Sequence, residues 1–141
     1  MSSDPSTILV VDEDPAIVSL LTLVLENDGY SVVGSSHPRQ ALALVAPTES
    51  LNMMVLDRTM RGLSVFELIR NAGRSRPELR VLLLADGLDN IVEIRKSDPV
   101  LFKPFDISTF SSIVQRTLVE RPTIDWTGQE RRRALAGARL Q

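Results

Sequence analysis

The 141-residue sequence contains no cysteine. This excludes disulfides and thiolate metal sites and is what a cytosolic chain would show. A single histidine, His37, leaves no material for a His-rich metal site or a His-dependent catalytic triad. Beside Pro38 it reads as a solvated loop residue. No apolar run approaches the length of a membrane span, so no membrane contact is expected. Met1 to Thr7 is short and polar, with no signal-peptide core. The net charge is only −2, so bulk electrostatics point neither to nucleic acid nor to anionic lipid. Internal repeats and low-complexity segments are absent too. What remains is 43% hydrophobic and 24% charged residues, the balance of a soluble globular domain with a real core.

The apolar residues are grouped in short runs that end in charge. Ile8-Leu9-Val10-Val11 runs into Asp12-Glu13-Asp14, Met53-Met54-Val55-Leu56 into Asp57, and Val100-Leu101-Phe102 into Lys103-Pro104. Runs of this length read as buried strands. Val32-Val33 and Val81 to Leu84 supply two more. Between them lie helical patterns. Asp14-Pro15 opens the first as N-cap and first helical residue, with Ile17, Leu20, Leu21, Val24 and Leu25 on its buried face and Gly29 as terminator. Pro38 to Val45 forms a second, with Ala41, Leu42 and Val45 on one side. Ser64 and Glu67 have capping-box spacing and open a third, which reaches about Asn71 before Gly73 and Pro77. Asp86-Gly87 is a turn signal, and Asp89 to Lys96 reads as a short, weak helix. Asp106 caps a last helix with Ile107, Phe110, Ile113, Val114 and Leu118 on one face. Met60 and Phe66 read as core residues.

Strands alternating with helices predict an α/β fold: a parallel sheet covered by helices on both faces. Right-handed crossovers then bring every strand's carboxyl end to one edge, where ligands bind. Asp12, Glu13, Asp57 and Lys103 would meet there.

These residues, in this order and spacing, resemble a response regulator receiver domain. So does the loop Asp57-x-x-Met60-x-Gly62. The resemblance covers roughly residues 7 to 120. It implies a doubly wound, flavodoxin-like sheet of five parallel strands in the order 2-1-3-4-5. It further implies a phosphorelay in which Asp57 accepts a phosphoryl group from a sensor histidine kinase or a phosphotransfer protein. Mg2+ would be held by Asp12, Glu13, Asp57 and the carbonyl of Thr59. Lys103 would pair with a phosphoryl oxygen, and the Lys103-Pro104 bond would be cis. The chemistry suits these residue types: a carboxylate attacking an anionic phosphoryl group needs a hard cation, and carboxylates hold one. The domain would be a cytoplasmic signalling module rather than an enzyme.

The sequence also departs from the family. Ala85 stands where a Ser or Thr hydroxyl is usual, and Asp86, if turned inward, would repel the phosphoryl group. Val100 stands where Tyr or Phe is usual, three residues before the lysine. The helix between the fourth and fifth strands is short. Glu13 replaces an Asp, Arg61 a proline and Val65 a glycine. Two other readings follow. One is a degenerate receiver that binds partners without phosphorylation. The other is a haloacid-dehalogenase-like phosphatase, from the Asp12-x-Asp14 spacing.

Residues 1–120 make up the receiver-like part, and residues 121–141 a basic extension. The extension holds Arg121, Arg131, Arg132, Arg133 and Arg139 against Asp125 and Glu130, five minus two or +3, which leaves −5 for the rest. It could be helical from Gln129 to Leu140. The alternatives are a solvated extension and a docking segment for a protein partner or a second copy, anchored by Trp126. It is too short for a helix-turn-helix domain, so direct nucleic-acid contact is not expected.

Overall fold

The computed structural model describes residues 5–45, 47–48, 50–58, 65–86 and 99–120. The described elements, in chain order, are β1 (Thr7–Val11), α1 (Pro15–Asn27), β2 (Ser31–Ser35), α2 (Pro38–Val45), β3 (Leu51–Asp57), α3 (Val65–Ser75), β4 (Arg80–Asp86), β5 (Val100–Lys103) and α4 (Ile107–Val119). The strands form one parallel sheet in the order β2-β1-β3-β4-β5, the flavodoxin-like order expected.

Strand alternation divides the apolar runs between two cores. Leu9, Val11, Met54, Leu56, Val81 and Leu83 face α2 and α3. Ile8, Val10, Met53, Val55, Leu82, Leu84 and Leu101 face α1 and α4. This is why the runs are continuous rather than alternating: a strand covered on both faces has no polar side. β3 sits at the centre of the order, and Met53 to Leu56 are fully buried.

Local chemistry fixes the junctions. The Asp14 carboxylate accepts the Ala16 N–H at the start of α1, and Pro15 occupies the first turn. Gly29, at φ +100°, lets the chain reverse after α1 in a conformation costly for other residues. Gly34 in β2 serves close approach instead: a Cβ there would stand 2.7 Å from Val18 Cγ1 on α1. Between Thr7 and Ile8 the pairing of β1 with β3 slips by one residue, and the Asn52 side chain at the slip accepts the Thr7 N–H at 2.9 Å. No sequence pattern announced that irregularity.

Several expectations are corrected. Leu20 is 45% exposed, because Ile17, Leu21, Val24 and Leu25 fill the stripe that faces the sheet and Leu20 falls at its edge. Ile107, 52% exposed, is the first residue of α4 and stands outside the stripe of Phe110, Ile113, Val114 and Leu118. α3 does not stop near Asn71. It continues through Ala72 and Gly73, both buried, to Ser75, so a glycine that local propensity reads as a stop is kept inside the helix. β4 extends through Ala85 to Asp86, held by pairing with Phe102 and Lys103 of β5. Phe66 is half-buried rather than core. Ser64 of the capping box, Met60, the short helix at residues 89–96 and the extension 121–141 lie outside the described residues.

Candidate functional site

Three parallel strands end at one edge, and each ends in a charge. Val11 of β1 pairs with Leu56 of β3, so the next residues, Asp12 and Asp57, are neighbours across that pair. Both are nearly inaccessible, at 2% and 7% exposed. The backbone N–H of Asp12 donates to the Ser35 carbonyl of β2 at 3.2 Å, and the N–H of Arg58 donates to the Leu84 carbonyl of β4 at 2.8 Å. The sheet ladder therefore continues one residue past β1 and β3 and fixes the backbone that carries each acid.

Lys103 ends β5, two strands away from β3, and its side chain reaches across β4 to both acids. The Nζ donates to Asp12 Oδ2 at 3.1 Å and stands 3.6 Å from Asp57 Oδ1. The other Asp12 oxygen, Oδ1, accepts the Asp14 N–H at 2.9 Å. Burial pulls the Lys103 ammonium toward deprotonation. The Asp12 hydrogen bond and the charges of Asp57 and Asp12 together outweigh it, so the pKa is raised above the ordinary lysine value. The Lys103-Pro104 bond that follows is cis, and the ring of Phe105 stacks on Phe110 of α4 with centroids 5.6 Å apart.

Glu13 is half-buried on the same edge. Asp14 is exposed and engaged in capping α1, so the Asp12-x-Asp14 spacing does not give two site carboxylates. Thr59 lies outside the described residues. Among the described residues no three metal-ligating side chains converge; the two buried carboxylates meet on an ammonium instead. The donor set nevertheless fits a hard divalent cation. It is all oxygen, and Asp12, Glu13 and Asp57 against Lys103 leave an excess of negative charge.

Ala85 is fully buried and lies in register opposite Phe102. Val100 is half-buried against the core under α2 and α3. The one ring of β5 is thus at Phe102, two residues nearer the site edge than Val100, and it is 41% exposed. Asp86 is exposed at the end of β4, in register with Lys103. Sequence reasoning missed the double engagement of Lys103. Reading Lys103 only as the partner of a phosphoryl oxygen left unstated what the ammonium does in this structure, namely neutralise two buried acids. The general cost of a buried, unpaired carboxylate was the available signal.

Residues 8–115 match the family described as response regulator receiver domain. The chain belongs to that family. Among similar proteins of known role, the DNA-binding transcriptional regulator NtrC of Rhizobium meliloti is 29% identical over 119 residues, which is 82% of this chain and 24% of NtrC. The alkaline phosphatase synthesis transcriptional regulatory protein PhoP of Bacillus subtilis is 28% identical over 87% of this chain and 54% of its own length. This receiver domain chain therefore spans about a quarter to a half of those relatives. A CheY-like receiver domain protein from Methanospirillum hungatei superposes with a TM-score of 0.74 at 23% identity, covering 82% of this chain and 94% of that one. The receiver domain of the hybrid histidine kinase CckA gives 0.69 at 23% identity, covering 80% and 99%. At that identity the superpositions speak for the fold. Receiver domains are signalling domains that work with histidine kinases or phosphotransfer proteins and generally bind Mg2+ at the phosphorylation site. Among the described residues no helix is long and apolar enough to cross a membrane.

Proposed function

We propose that this receiver domain accepts a phosphoryl group on Asp57 from a phosphohistidine of a sensor histidine kinase or phosphotransfer protein. The single observation that carries this reading is the buried Asp57 carboxylate at the end of the central strand, 3.6 Å from a lysine that also holds Asp12. An Asp57 oxygen attacks phosphorus, the phosphorus–nitrogen bond breaks, and the imidazole leaves with a proton. Asp12, Glu13, Asp57 and the Thr59 carbonyl would hold Mg2+, which neutralises charge on the phosphoryl oxygens when bound. Lys103 exchanges its Asp57 contact for a phosphoryl oxygen while keeping Asp12, so the added charge meets a cation already in place.

Output is then unconventional. Ala85 offers no hydroxyl to the phosphoryl group, and Val100 offers no ring to move with it. Labelling with a phosphodonor tests the assignment. Label is expected on the protein as a base-labile acyl phosphate and is expected to vanish in Asp57→Asn. Undiminished label in that variant would sink the reading.

The same two residues favour a second reading, a degenerate receiver that binds a protein partner without phosphorylation. It requires partner affinity to be unchanged in Asp57→Ala, and a loss of binding there counts against it.

A further inference from the structure

The sheet separates two helical layers of opposite charge. The ends of α1 and α4 carry Asp14, Glu26, Asp28, Asp106 and Glu120, all exposed, and Arg116 is the only base among the described residues of these helices and their caps. The layer on the other side carries Arg39, Arg70, Arg74 and, in the turn after α3, Arg76, against Glu67 and Glu78. The acidic layer is also the one with uncovered apolar side chains. From Pro15 to Leu25, α1 has no charged residue, and its outward side presents Leu20 and Leu23, 45% and 67% exposed. α1 and α4 lie side by side, joined by the Ser111 hydroxyl donating to Asp28 at 2.7 Å.

Residues 121–141 begin where α4 ends. Glu120 leaves the helix with extended backbone, its carbonyl accepting from Arg80 Nε at 2.9 Å, so the chain departs within the α1–α4 layer. The segment carries +3, five arginines minus two acids, and holds Trp126, Leu135 and Leu140. The six residues from Glu120 to Trp126 can span roughly 20 Å, about twice the separation of packed helices. Attraction and reach both favour the acidic layer, and like charge disfavours the other.

We propose that residues 121–141 dock in cis on the α1–α4 face, with Trp126 against Leu20 and Leu23 and Arg131 to Arg133 near the acids at the helix ends. An amphipathic, uncharged outer face on α1 is then an internal contact surface rather than a solvated one.

Trp126 is the only tryptophan, so its fluorescence in the full chain reports the contact directly. Emission blue-shifted from free indole and protection from acrylamide are expected. Leu20→Glu with Leu23→Glu should shift the emission to that of exposed indole and abolish the protection. Those positions are exposed, so the fold survives, which far-UV circular dichroism checks. Glu26→Lys with Asp28→Lys should have a smaller effect in the same direction, reproduced by high salt in the unmodified protein. Because the chain has no cysteine, Leu23→Cys carrying a nitroxide should broaden the Trp126 indole N–H resonance. Emission of the unmodified protein that already matches free indole, or that ignores Leu20→Glu with Leu23→Glu, overturns the proposal. So does nitroxide broadening that disappears on dilution, which would assign the face to a second copy.

Discussion

Asp12 and Asp57 stand within reach of one ammonium, and that fact governs the site before any ligand arrives. Two carboxylates buried side by side repel each other and lose hydration, costs that Lys103 offsets. Removing Lys103 leaves both acids uncompensated. In metal-free buffer Lys103→Met should therefore destabilise the domain by about 1–3 kcal/mol, less than the loss of a fully buried pair because the lysine side chain is 29% exposed. Urea unfolding checks this, and Asp12→Asn should cost less in the Lys103→Met background than alone, since the two residues share one interaction. Ala85 is the other decisive residue. If the missing hydroxyl limits phosphoryl binding, Ala85→Ser should tighten beryllofluoride binding in magnesium by roughly tenfold, the worth of one charge-assisted hydrogen bond. Titration followed by amide shifts at Asp57 and Lys103 measures it.

At the level of elements, packing distances and caps decide what the helices tolerate. α1 lies so close on β2 that a methyl group at Gly34 would meet Val18 Cγ1 at 2.7 Å. Gly34→Ala should cost about 1 kcal/mol net, the steric clash exceeding the gain from a stiffer unfolded chain. The cost should shrink when Val18→Ala removes the obstacle, a double-mutant cycle read from thermal or urea unfolding. α4 depends on its first residues. The Asp106 carboxylate accepts the Thr109 N–H at 2.6 Å, and that bond, with the Thr109 hydroxyl, holds its pKa below the ordinary carboxylate value. A lowered pKa means the folded protein holds this group ionised more readily than the unfolded chain does. The stability it contributes is present above the ordinary aspartate value and lost as pH falls through the lowered one. Asp106→Asn should flatten that part of the acid limb, seen as a smaller drop in the urea midpoint between neutral and strongly acid pH.

For the whole molecule, β3 is the member on which both cores and the position of Asp57 depend. Leu56 is fully buried next to Asp57. Leu56→Ala should destabilise the domain by about 2–5 kcal/mol, through lost burial plus the cavity left behind, as calorimetry or urea unfolding would show. The sequence by itself determined the strand runs, most helix starts, the two-sided burial of the sheet and the identity of the charged residues at its edge. These follow from short-range rules: apolar continuity, helical spacing and capping chemistry are properties of neighbouring residues. It also carried the spacing of Asp12, Asp57 and Lys103 that marks the family. The outer faces were less legible. Leu20 and Ile107 have the right spacing for burial, yet the sheet offers only one stripe's width of cover, so width and not periodicity left them exposed. Gly73 was read as a terminator because local propensity says so, but packing keeps it inside α3. Only the tertiary structure decided that Lys103 crosses β4 to hold both acids, that the Phe102 ring stands exposed near the site edge, and that most acids and most arginines of the described helices and their ends fall on opposite layers. Each depends on which strands are neighbours and which face a side chain takes, and those relations exist only once distant segments are hydrogen-bonded into one sheet.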